Sequence, residues 1–156
     1  MSYLGTPGAT LEVLARTQPA TTFTVIRRLL LDGNGRALST HRPHRNTRLT
    51  VRDVSGPAIN ATTQPLVRVR STASINTRRV GVRTFELSGT VSPAVSGRLV
   101  RVYRDGVVVA QGRTASDGVY RITRTLAAGT STFSVKTPDD VYNVGAQSRS
   151  VSLRVY

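Results

Sequence analysis

The chain has 156 residues, no cysteine, no tryptophan and a formal charge of +14 at neutral pH. That length holds one medium domain or two small ones, and the missing cysteines exclude a disulfide framework. The longest purely aliphatic run, Leu29-Leu30-Leu31, falls far short of the roughly 20 apolar residues a membrane-spanning helix needs.

Apolar and polar residues alternate along the whole chain, and Gly, Pro, Asn and Asp recur every 8 to 12 residues or so, the spacing of sandwiches and barrels. No segment reads as a helix of ordinary length. The first half predicts strands at 9–17, 22–30, 36–41, 47–53 and 65–70. Within it, Leu49 and Val51 alternate with Thr50 and Arg52, and Val67 and Val69 with Arg68 and Arg70. The second half predicts strands at 72–76, 83–91, 98–104, 107–113, 119–126, 131–137 and 149–155. Here Val100 and Val102 alternate with Arg101 and Tyr103, and Phe133 and Val135 with Ser134 and Lys136. Asp32-Gly33-Asn34-Gly35, Arg104-Asp105-Gly106-Val107 and Ser116-Asp117-Gly118-Val119 carry hairpin signals, since Gly supplies positive φ at no steric cost.

The two halves share a pattern. Thr10-Leu11-Glu12-Val13-Leu14-Ala15-Arg16-Thr17-Gln18-Pro19-Ala20 returns as Thr84-Phe85-Glu86-Leu87-Ser88-Gly89-Thr90-Val91-Ser92-Pro93-Ala94, and Pro65-Leu66-Val67-Arg68-Val69-Arg70 as Ser150-Val151-Ser152-Leu153-Arg154-Val155. Repetition of a β unit predicts two domains, 1–70 and 71–156. The run Phe85 to Ala94, then Val100-Arg101-Val102-Tyr103-Arg104, Ser116-Asp117-Gly118-Val119-Tyr120 and Gly129-Thr130-Ser131-Thr132-Phe133, resembles a bacterial immunoglobulin-like repeat. Such repeats are common in secreted and envelope proteins of actinobacteria, and similar modules decorate bacteriophage virions. The resemblance covers 72–156 well and 8–70 loosely. It implies an all-β fold of two tandem immunoglobulin-like antiparallel β-sandwiches, the first divergent; the strand pattern leaves the first unit's leading strand short or missing. It also implies a structural or binding role, and brings no catalytic residues with it.

The positive charge is arginine apart from Lys136, a bias that GC-rich codon usage also produces. Residues 1–83 carry 13 arginines against Glu12, Asp32 and Asp53, a net +10, whereas 84–156 carry +4. Arg48 and Arg52 share the polar face of one predicted strand, Arg68 and Arg70 that of another. If those strands are neighbours, the four form a cationic patch that Arg42 and Arg45 extend. The first half holds only Tyr3 and Phe23 as aromatics; nucleic-acid binders that tolerate any sequence interleave more of them for base stacking. The pattern therefore favours an acidic protein surface or envelope polymer over nucleic acid as partner.

Other constellations carry less. His41 and His44 have a metal-pair spacing, but Arg42, Arg45 and Arg48 surround them and repel a divalent ion. Asp139-Asp140 reads as a loop tip before it reads as a calcium site. Asn60-Ala61-Thr62 matches a glycosylation sequon, which occurs often by chance. No nucleophile elbow, phosphate loop or dinucleotide fingerprint is present, so neither enzyme activity nor a cofactor is expected. Residues 1–8 show no basic and apolar export signal. The expectation is a non-catalytic structural or adhesion protein within a multi-subunit assembly. Its first setting is the virion, as a tail or capsid decoration anchored by the basic first unit with the second projecting. The alternatives are a spacer or glycan-binding module of an exported envelope protein at the cell surface, or a polyanion binder.

Overall fold

The computed structural model describes residues 2–54 and 64–156, so the sequon lies outside the described residues. The chain is all-β, built from antiparallel sheets of the β-sandwich type, and divides into two compact units, Met1–Val69 and Arg70–Tyr156.

The first unit contains β1 (Ser2–Leu4), β2 (Thr10–Thr17), β3 (Thr24–Leu30), β4 (Arg36–Leu38), β5 (Thr47–Asp53) and β6 (Leu66–Val67). Its main sheet runs β3-β2-β5-β6, and β1 pairs with β4 in a separate ribbon. Alternation on the central strand β2 turns Leu11, Val13 and Ala15 to one face and Glu12, Leu14 and Arg16 to the other; all but Arg16 are buried. Leu31 and Leu49 add to this small core.

The second unit contains β7 (Thr72–Ala73), β8 (Asn76–Gly81), β9 (Thr84–Ser92), β10 (Leu99–Arg104), β11 (Val107–Arg113), β12 (Val119–Thr125), β13 (Gly129–Thr137), β14 (Ala146–Gln147) and β15 (Val151–Val155). In one sheet β12 pairs with β9, whose other edge takes β8 and β7. The other sheet runs β11-β10-β13, with β14 and β15 along the far edge of β13. The inward residues of both sheets, Phe85, Leu87, Val91, Val100, Val102, Tyr120, Ile122, Phe133 and Val135 among them, form one continuous core. Alternating burial of opposed faces is the mark of a sandwich.

Three sequence expectations change. The first strand of the second unit is longer than 72–76: β7 and β8 both pair with β9, separated where Ile75 turns into the core. Two of the three glycine turns are not hairpins. Asp105 and Gly106 both have positive φ and join neighbouring strands, as a two-residue hairpin requires. Asp32–Gly35 instead connects β3 to β4, and Asp117–Gly118 connects β11 to β12, each pair lying in different sheets. Gly118 shows why. Its carbonyl accepts the Val91 amide, and a Cβ there would sit 2.5 Å from the Val91 carbonyl oxygen, so the turn is docked on β9.

The repeat also diverges in topology. β2 and β9 are both central strands, and the Gln18–Pro19 and Ser92–Pro93 bonds that follow them are both cis. After Pro19 the chain reverses within the sheet, with the Ala20 amide bonded to the Thr17 carbonyl, and returns as β3. After Pro93 it crosses to the opposite sheet as β10. Likewise β6 joins the sheet of β2, while β15 joins the sheet opposite β9.

Candidate functional site

The arginines on the first unit's sheet fall into two groups. At one end Glu12, buried, sits directly between Arg28 on β3 and Arg52 on β5. Arg28 Nη2 lies 2.9 Å from Oε1 and Arg52 Nη2 lies 2.5 Å from Oε2. The Arg52 hydrogen bond, ahead of that from Arg28, holds the Glu12 carboxyl below its ordinary range. Glu86 on β9 repeats the arrangement more loosely, 3.5 Å from Arg78 Nη2 and 3.4 Å from Arg121 Nη1. Arg52 is therefore a structural partner of Glu12.

This clamp has a pH signature. A carboxyl whose folded pKa is depressed below 4.5 contributes stability that is full above that value and is lost as pH falls through the folded pKa. The urea midpoint of the first unit should drop more steeply between about pH 5 and 3 in the native chain than in Glu12→Gln. Equal slopes would remove Glu12 from the acid response.

At the other end of the sheet Arg48 stands directly opposite Arg16. Like charges at opposed positions destabilise a sheet. Arg16 stacks on Phe23, 5.2 Å from the ring centroid, and its buried Nε has no hydrogen-bond partner; Arg48 Nη1 donates to the Gln64 carbonyl at 3.2 Å. No carboxylate pairs with either arginine among the described residues. β5 and β6 are neighbours, but β6 spans only Leu66–Val67 and places Leu66 opposite Arg48. Arg68 lies beyond β6, exposed; Arg42 and Arg45 lie in the stretch between β4 and β5, with exposed His41 and His44. Arg70 belongs to the second unit. Of the predicted patch residues, Arg52 is bound to Glu12, and Arg16, which the strand pattern did not single out, stands opposite Arg48.

In the second unit Arg70 lines a groove of about 610 Å³ that also takes in Arg101, Tyr103, Lys136, Thr137, Asp139 and Gln147. β10, β13 and β14 set its outer wall in register: Arg101 is opposite Lys136, and Lys136 is opposite Gln147. The Lys136 ammonium rests 4.8 Å from the centroid of the Tyr103 ring.

One side of the groove is held by an ion pair whose arginine is buried and whose aspartate is partly exposed. The Arg98 side chain, 2% exposed, donates from Nε to Asp140 Oδ2 at 2.8 Å and from Nη1 to Ser71 Oγ at 2.6 Å. Asp140 Oδ1 accepts the Tyr142 and Asn143 amides, and Asp139 Oδ1 accepts the Gly145 amide. The Asp139-Asp140 pair therefore organises its own loop. Among the described residues no group of three His, Cys, Asp or Glu is placed to hold a metal ion. Tyr120 is core, donating to the Ser74 carbonyl at 2.6 Å, with its hydroxyl pKa raised by burial.

No protein-family model matches the chain, and no curated protein matches it. Solved structures similar to it include one described as giving insight into host cell surface retention of a 1.5-MDa bacterial ice-binding adhesin (13% identity, 97% of this chain and 54% of that one, TM-score 0.39). Others are fibronectin(III)-like modules of Clostridium thermocellum CbhA (18% identity, 98% and 82% covered, TM-score 0.42) and the human OSCAR ligand-binding domain (15%, 95% and 85%, TM-score 0.41). The chain spans 54% of the adhesin chain it matches.

Proposed function

We propose that this protein is a non-catalytic structural or adhesion component whose first unit docks on an acidic protein surface. The observation that carries the reading is the Arg16–Arg48 pair, two cations held opposite one another without a carboxylate between them. A sheet gains nothing from that arrangement alone, and an acidic partner converts the repulsion into two charge-assisted contacts. Exposed apolar side chains on the edge strand β3, Val25, Ile26 and Leu30, give the same unit area to bury.

The setting we propose is a virion, as a tail or capsid accessory protein, on the strength of the sequence resemblance over 72–156. The competing setting is an exported envelope protein in which the units act as spacers. Quantitative mass spectrometry of purified phage particles and of the cell-wall fraction separates the two. The expected result is recovery in particles at a fixed ratio to a capsid or tail subunit; recovery in the wall fraction alone would reject the virion setting. The variant Arg16→Gln/Arg48→Gln, which leaves the Glu12 clamp intact, should lose incorporation into particles. Undiminished incorporation would reject docking through this face.

A further inference from the structure

We propose that the groove of the second unit binds a carboxylated sugar, such as a uronic-acid unit of an acidic polysaccharide. The groove lies within the second unit, and the proposal does not depend on docking by the first.

Arg101 and Lys136 are directly opposed like charges, the arrangement a sheet disfavours, and Arg70 lines the same groove. Among the described residues neither the Arg70 nor the Arg101 guanidinium makes an ion pair or hydrogen bond, and the Lys136 ammonium has no carboxylate partner and rests on the Tyr103 ring. These are cations without an anion. Elsewhere in the unit, Arg78, Arg121 and Arg98 are each paired with an acid.

One observation narrows the anion. Asp139 lines the groove, with one oxygen occupied by the Gly145 amide. A carboxylate there accepts from a ligand rich in hydroxyl donors. One negative group beside several hydroxyls is the chemistry of a carboxylated sugar. Tyr103 gives its apolar ring face a surface, and Gln147, beside Lys136, offers both a donor and an acceptor. A volume of about 610 Å³ suits a saccharide of one to a few units.

The test is a titration of the full chain with trigalacturonic acid, followed by amide chemical shifts in the second unit. The neutral galactose trimer and a single-stranded DNA 12-mer are titrated alongside. The acidic trimer is expected to shift amides of β10, β13 and β14, and to bind about tenfold or more tighter than the neutral one. Arg101→Gln/Lys136→Gln should weaken that binding by about tenfold or more without lowering the melting temperature, since it removes a like-charge pair from an outer sheet face. Absence of shifts, equal affinity for the neutral trimer, or an unaffected double variant overturns the proposal. Tighter binding of the oligonucleotide than of the acidic trimer would overturn it in favour of nucleic acid.

Discussion

Asp140→Ala is expected to destabilise the second unit by about 3–5 kcal/mol. The loss comes from what remains behind. Arg98 stays fixed between Ser71 and the core with a buried charge and no counter-ion, and its Nη2 already has no partner. Truncation also removes the acceptor for the Tyr142 and Asn143 amides, which frees the loop carrying Asp139 and Gly145 into the groove. Urea denaturation read from second-unit amides measures the loss, and the first unit serves as internal control. Arg98→Met/Asp140→Leu, which removes both charges, should recover much of the stability, because an apolar pair bears no desolvation cost. A double variant as unstable as Asp140→Ala would show that the loop's amide bonds, rather than the buried charge, dominate.

Gly89→Ala should cost the second unit about 3 kcal/mol, at the upper end for overpacking, because the obstacle is backbone. A Cβ at this position collides with the Ser74 carbonyl oxygen and comes within 2.8 Å of the Tyr120 hydroxyl. Those two atoms are bonded to each other, so the added methyl must displace a buried hydrogen bond as well as fit. Tyr120→Phe alone removes only that bond and should cost about 1 kcal/mol. Combining the two should leave most of the Gly89→Ala penalty in place, since the carbonyl does not move away with the hydroxyl. A melting temperature restored to that of Tyr120→Phe would locate the clash at the tyrosine instead. The aligned position in the first unit is Ala15, which the smaller core accommodates as a buried side chain.

Alternation made the second unit readable. Val100 and Val102 against Arg101 and Tyr103, or Phe133 and Val135 against Ser134 and Lys136, already separate an inner face from an outer one, and the structure keeps those assignments. The Glu12 and Glu86 equivalence was legible too, as a repeated letter at the same place in a repeated strand. Its meaning was not. Arg28 and Arg52 lie 16 and 40 residues from Glu12 in the chain, and only strand pairing brings them to it. The turns show the same limit. Asp-Gly supplies the positive φ for a reversal, but whether the next strand stays in its sheet depends on which edge receives its hydrogen bonds, as Gly118 and Val91 illustrate.

The sequence by itself determined the class of this protein: all-β, two units, one face of each strand apolar, and an excess of arginine. These follow from a side-chain period of two and from residue chemistry, both local properties. The tertiary structure decided which charges are spent and which are free. Arg52 and Arg98 are bound to carboxylates, whereas Arg48 faces Arg16 and Arg101 faces Lys136. Register across strands sets those partners, and register is a long-range property that no segment contains on its own.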